Sequence, residues 1–247
     1  MSNMANVSTV YNTPNMTQPT KLIIDIMIVV AVTALVFYLE DLAIAQGWMP
    51  FATEIRGAFS VLAGAFAAVG VVLARGGSLT DLGFRRPQRW ATVPLQVAGI
   101  LIVFIAAQSL APLLISMFID LPEPDLSRYD SISGNLGAAI FMALVLPLTA
   151  SIPEEVIYRG FLMGRLSENF EQDAAGAFMT VLIQALVFGS IHFQWGIGGM
   201  IMTFIMGIVW GTAYLLCGRN LWIVILAHSA GHLLLVTQLY LGESIIV

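Results

Sequence analysis

The sequence predicts an all-α, polytopic membrane protein with about seven transmembrane helices and a polar cavity inside the membrane. Of its 247 residues, 58% are hydrophobic and only 10% are charged, whereas a soluble globular domain carries roughly 25% charged residues. The mean hydropathy is +0.88. Because each span needs about 20 apolar residues, the length allows seven or eight spans with short loops and leaves no room for a second folded domain.

Seven apolar runs follow one another along the chain. The first is preceded by a polar segment, residues 1–20, whose lack of periodic apolar residues predicts a disordered tail. Residues 21–247 are then expected to form a single transmembrane domain. The predicted spans are 22–39, 57–73, 93–118, 136–150 with a continuation beyond it, 175–193, 200–217 and 221–241.

The ten Lys and Arg residues are divided unevenly between the two sides of the predicted bundle. With a cytoplasmic N-terminus, only Arg56 and Arg128 fall outside. Since cytoplasmic loops are rich in Lys and Arg, we expect the N-terminus in the cytoplasm, the C-terminus outside and the protein in the cell membrane. The residues on the expected cytoplasmic side are Lys21, Arg75, Arg85, Arg86, Arg89, Arg159, Arg165 and Arg219.

Charge and cysteine content exclude two kinds of partner or site. The net charge is −5 and no basic run is present, so nucleic acid is not an expected partner. The single cysteine, Cys217, excludes an internal disulfide and a cysteine-based zinc site.

The segment SIPEEVIYRGF, residues 151–161, places two carboxylates and an arginine inside an apolar run. A charged side chain at the bilayer centre costs at least ~2.5 kcal/mol, so its presence indicates a function. Glu155 and Arg159 are four residues apart and are predicted to form an ion pair. Glu154 points about 100° away and remains available for chemistry, which a purely structural clamp does not explain. Prolines within 147–153 predict a break in the helix just before the carboxylates.

All three histidines of the chain are predicted to lie in spans after these carboxylates. His228 and His232 share one helix face because they are four residues apart, and His192 lies in the preceding part of the chain. A glutamate with several imidazoles can hydrolyse a peptide bond, which requires a base, an acid and donors for the oxyanion. Two versions fit: a zinc ion held by imidazole and carboxylate ligands, or a metal-free site in which Glu154 and His192 hold the water directly.

Three short motifs occur in order on different predicted spans. They read EEVIYR at 154–159, FGSIH at 188–192 and HSAGH at 228–232. Together they resemble the motifs of the CPBP intramembrane protease family, which includes CAAX prenyl endopeptidases and bacterial relatives linked to bacteriocin processing and self-immunity. The family usually has Asn where this chain has His232. The resemblance covers about 136–241, the expected protease-like core, and the loop at 79–87 supports it.

The resemblance implies a role for each matching residue. It implies that Glu154 activates water, that His192 helps to hold it, and that His228 with His232 stabilises the oxyanion or completes a metal site. A metal, if used, would be zinc held by Glu154, His192 and His228, and a metal-free mechanism is equally open. Glu155 and Arg159 would be the orienting pair. The implied substrate is a membrane-embedded or lipid-modified peptide or protein in the bilayer.

Two other classes of function also fit the pattern. One is a non-catalytic membrane scaffold or immunity protein that retains the pocket, and the other is an ion-coupled transporter that uses the same groups as relays. The protease interpretation requires that His192 lie at the same depth in the membrane as Glu154. We expect this to be met by a fifth span that starts near Thr180, with residues 167–176 projecting as a cytoplasmic helical extension.

Overall fold

The computed structural model describes residues 18–48, 55–170 and 173–242, and these ranges contain helices and no strands. Five of the helices are long and apolar enough to cross a membrane, and two apolar helices of 17 residues accompany them. The all-α class and the number of about seven helices are confirmed, and the chain is an integral membrane protein. The helices are α1 Gln18–Ala45, α2 Ala58–Ala74, α3 Val93–Ser116, α4 Leu136–Phe170, α5 Ala174–Ser190, α6 Gly196–Leu216 and α7 Leu221–Leu241.

Helix α1 is longer than predicted at both ends. It begins at Gln18, so the last part of the predicted tail is helical, while residues 1–17 lie outside the described residues. At its other end, two carboxylates find partners at the start of α2. Glu40 is buried and accepts a hydrogen bond of 2.9 Å from the backbone N–H of Gly57, and Asp41 binds Arg56 at 2.7 Å. These contacts let α1 continue past the apolar run.

Helix α4 is continuous through the position where a break was predicted, and that prediction is wrong. The helix widens instead into two π-helical turns, Pro147–Ser151 and Val156–Leu162, which flank one α-helical turn, Ile152–Glu155. The backbone N–H of Ile152 donates to the carbonyl of Pro147, five residues earlier. The wider turn therefore accommodates the prolines without ending the helix. π-Turns inside α-helices are found frequently at functional sites.

The middle of α4 is the centre of the bundle. All seven residues of Val156–Leu162 are buried, and this part of the helix contacts α2, α5 and α7. Large apolar side chains are exposed on the outer helices instead, such as Phe66 on α2 and Leu95 on α3, at 74% and 76% exposure. An apolar outer face is what a lipid environment requires, so the charged residues of α4 lie at the best-shielded place in the protein.

Helices α5 and α6 pack closely because small residues face each other. A Cβ atom added to Gly207 of α6 would lie 2.8 Å from the Cα of Ala185 on α5, and one added to Gly211 would lie 2.7 Å from Oε1 of Gln184. Small residues let membrane helices approach in this way. The pair Gly207 and Gly211 thus serves packing within the chain.

Substitution Gly207→Leu is expected to separate α5 from α6. Overpacking of a well-packed interface typically costs about 1–3 kcal/mol, so we expect a lower unfolding temperature in detergent. Gly99→Leu on α3 is the matched control, because a Cβ at Gly99 has no neighbour within 4 Å. Equal unfolding temperatures of the two variants would contradict the packing described.

Candidate active site

A cavity of about 630 Å³ is bounded by α1, α2, α4, α5, α6 and α7. Most of its wall is apolar, with side chains such as Val29, Ile157 and Leu235. A small number of polar side chains with hydrogen-bonding or charged groups interrupt this apolar wall, and the candidate site is built around them. They are Thr33, Arg56, Ser60, Arg128, Tyr129, Thr149, Glu154, Tyr158, His192, Gln194, Trp195 and His232.

The two adjacent carboxylates of α4 face different surroundings. Glu154 lines the cavity and is 8% exposed, whereas Glu155 is fully buried and is absent from the cavity wall. The α-helical turn that carries them separates consecutive side chains by about 100°. The divergence expected from the sequence is therefore present.

Glu155 is paired with two side chains through the same oxygen. Arg159 Nη1 lies 3.0 Å from Glu155 Oε1, so the ion pair expected from the spacing is formed, with both side chains fully buried. His228 Nδ1 lies 2.8 Å from the same oxygen. Since a carboxylate accepts, Nδ1 of His228 carries a hydrogen. Position 228 thus completes a buried triad that the sequence did not predict.

His228 lies behind Glu154 and outside the cavity wall. Its Nε2 is 3.9 Å from Glu154 Oε2, and its ring stacks on Trp210 at 5.7 Å. This nitrogen has no hydrogen-bond partner in the described part of the chain. His228 thus lies next to both glutamates but does not reach the cavity surface.

His192 lies in a turn and not in a span, so that expectation is wrong. Helix α5 ends at Ser190, and the backbone of His192 closes a tight turn by donating to Gly189. Its ring nevertheless lines the same cavity as Glu154. The predicted helical extension over 167–176 is also not formed, because α4 ends at Phe170 and Asp173 caps a new helix.

The tautomer of His192 follows from its hydrogen bond. Nδ1 lies 2.7 Å from the carbonyl oxygen of Phe188, and a carbonyl can only accept, so Nδ1 carries the hydrogen. Nε2 of the neutral ring then carries a lone pair. The carbonyl at the end of α5 therefore fixes the tautomer in which Nε2 of His192 is a hydrogen-bond acceptor.

His232 also lies on the cavity wall. Its Nδ1 is 2.8 Å from the Oγ of Ser151 on α4, and its ring centroid is 4.6 Å from that of His228. Of the six residues singled out from the sequence, Glu154, His192 and His232 therefore share the cavity. Glu155, Arg159 and His228 form the layer behind it.

With this geometry established, residues 136–234 match the sequence model of a family described as type II CAAX prenyl endopeptidase Rce1-like. Residues 136–234 form an Rce1-like region. Comparisons with curated proteins and with solved structures give no match. The Rce1-like region starts with α4, ends within α7 and contains all six candidate residues. The expected family resemblance is confirmed for this region, and it implies CAAX-type intramembrane endopeptidase activity in general.

The Rce1-like region also contains an aromatic residue whose role the sequence analysis missed. Phe188 is fully buried, and the guanidinium of Arg159 lies 4.7 Å above its ring. Tyr158 and His192 pack against the same ring at 5.0 and 4.8 Å. Phe188 thus connects the buried arginine of α4 with the histidine turn after α5. In the sequence, its contact with His192 was indicated only by its position four residues earlier in the same motif.

A metal site would need several donor side chains close together. Among the described residues, no group of three or more His, Cys, Asp or Glu side chains is arranged to hold a metal ion. In the Rce1-like region, Nδ1 of His228 is engaged with Glu155, and Nδ1 of His192 with a backbone carbonyl. These contacts leave the Nε2 atom of each ring as the nitrogen available to a ligand, and no step is derived through a metal.

Proposed function

We propose that this protein hydrolyses a peptide bond of a membrane-anchored, lipid-modified peptide, using a water molecule activated by Glu154. One observation carries the proposal. Glu154 faces an apolar cavity together with His192 and His232, while the second carboxylate, Glu155, is held by two partners behind it. A free carboxylate in a shielded site, supported by a paired one, is an arrangement suited to general base catalysis.

The proposed reaction starts with a water between Glu154 and His192. The carboxylate of Glu154 takes one proton, His192 Nε2 accepts the other O–H as a hydrogen bond, and the oxygen attacks the substrate carbonyl carbon. His232 stabilises the oxyanion that forms. Glu154 then returns its proton to the amide nitrogen, the C–N bond breaks, and a carboxylic acid and an amine leave.

The buried layer is proposed to orient Glu154. Arg159 and His228 both hold Glu155, and the second nitrogen of His228 lies 3.9 Å from the Glu154 carboxylate. Because these groups are excluded from water, their electrostatic interactions are stronger than at a surface. They are positioning residues in this proposal, since they lie outside the cavity wall.

The apolar cavity supports a lipid-modified substrate. Its wall carries aliphatic and aromatic side chains from six helices, so an alkyl chain can leave the lipid and enter the cavity without losing apolar surroundings. A prenyl chain next to a scissile peptide bond would satisfy both the apolar wall and the polar groups around Glu154.

The proposal is tested with the full chain in lipid vesicles and two synthetic peptides. One is a farnesylated peptide with a C-terminal CaaX sequence, and the other is the same peptide without the farnesyl group. We expect mass spectrometry to detect a new C-terminus for the farnesylated peptide and slower cleavage of the control. We also expect activity to persist with a zinc chelator. Absence of cleavage would favour the scaffold alternative, and activity that is lost with chelator and restored by zinc would contradict the metal-free route.

Replacement His192→Phe is expected to reduce cleavage by about 10²-fold or more, because it removes the acceptor that holds the water. Phenylalanine keeps the aromatic packing against Phe188 and Trp195. Ser190→Ala is the control from the adjacent end of α5, since among the described residues the Ser190 hydroxyl bonds only to the carbonyl of Leu186. Similar rates for both variants would show that His192 has no part in the reaction.

A further inference from the structure

Ser151 and His232 form a hydrogen-bonded pair at the cavity. Ser151 is the last residue of the first π-turn in α4, three residues before Glu154, and it is fully buried. Its Oγ lies 2.8 Å from Nδ1 of His232. In the described chain, Ser151 makes no other side-chain hydrogen bond. The wide turn contacts α7, so it brings this hydroxyl to the helix that carries His232.

We propose that Ser151 is a positioning residue that keeps the hydrogen of His232 on Nε2, where it serves as a donor in the cavity. This inference rests on the proposed function of the same site. A serine hydroxyl has one hydrogen to donate and two lone pairs. If Nδ1–H donated to Ser151, the hydroxyl hydrogen would lack an acceptor among the described residues, at a fully buried position. Donation from Ser151 to Nδ1 satisfies both groups.

The two histidines on the cavity wall then have different hydrogen-bonding roles. His192 donates from Nδ1 to a backbone carbonyl and offers a lone pair to the cavity. His232 accepts at Nδ1 from Ser151 and offers an N–H. A hydrolytic site needs both functions, because water is held by an acceptor and an oxyanion by a donor. A neutral imidazole has a single N–H, so the partner of its other nitrogen decides which function it has.

The tautomer is measured directly by nitrogen NMR on protein labelled with ¹⁵N-histidine. The chain has three histidines, and His232→Asn assigns the signal of position 232. We expect the Nε2–H form for His232 and the Nδ1–H form for His192. In Ser151→Ala, the His232 signal should shift towards a mixture of the two forms. A wild-type His232 in the Nδ1–H form would overturn the proposal, whatever the activity of the protein.

Cleavage rates provide the second test through a double-mutant cycle. Ser151→Ala is expected to lower the rate by up to about tenfold, the equivalent of one hydrogen bond, and Ser151→Thr to restore much of it. An asparagine amide has N–H donors without a tautomer, so Ser151→Ala should have no further effect in a His232→Asn background. An equal loss in both backgrounds would overturn the proposal. Absence of cleavage by the wild type would count against the proposed function, while the NMR result would still decide the tautomer.

Discussion

Replacement of Glu154 by Gln is expected to lower the rate of peptide cleavage by about 10²- to 10⁴-fold, the usual contribution of a general base. The amide has the size of the carboxylate and cannot take a proton from water. Glu154 is also the only one of the two adjacent glutamates on the cavity wall. The measurement is the initial rate on the farnesylated peptide in vesicles, together with the unfolding temperature of each variant.

Glu168→Gln is the matched control, because it makes the same chemical change on the same helix. Glu168 is half exposed, pairs with Arg165 at 2.7 Å and lies outside the cavity. We expect this control to retain the wild-type rate. A Glu154→Gln variant that folds and cleaves like the control would exclude Glu154 as the base.

The sequence predicted well whatever depends on local spacing. The apolar runs predicted the helices, and the four-residue interval predicted the ion pair of Glu155 with Arg159, which is formed at 3.0 Å. Both predictions require only the repeat of a helix and the cost of charge in lipid. Helix periodicity and buried charge can both be read from one continuous segment, without knowing which helices become neighbours.

Features that depend on contacts between distant segments were missed. His228 shares Glu155 with Arg159 across 73 residues of sequence, and its spacing within α7 carries no information about that contact. Asp25 was also overlooked. It is buried on α1 and binds Arg75 at 2.6 Å and Arg165 at 3.2 Å, which joins α1 to the end of α2 and to α4. A periodic pattern does not show which helices become neighbours.

Two of the wrong expectations have a shared physical cause. Prolines in α4 were expected to break the helix, and His192 was expected inside a regular span. In both places the backbone changes its hydrogen-bond interval instead, to five residues at Ile152 and to three at His192. Such local changes satisfy the backbone in an apolar environment without ending the bundle. They also direct Ser151 and His192 to the site.

The second large effect is expected from Arg159→Met. Arg159 and Glu155 are fully buried, and removal of one partner of a buried pair typically costs about 3–5 kcal/mol because the other charge is left uncompensated. His228 remains as a partner of Glu155 but does not replace the guanidinium. We expect a large loss of unfolding free energy in detergent, with methionine filling much of the volume next to Phe188.

The double variant Arg159→Met with Glu155→Gln separates charge from packing. It lacks both charged partners, so it should be more stable than Arg159→Met alone. Arg86→Met, on the exposed loop before α3, is the control for loss of an arginine and should unfold like the wild type. If Arg159→Met matched this control, the buried pair would contribute nothing to the fold. If the double variant were no more stable than the single one, the loss would come from packing, and the charge of Glu155 would need no partner.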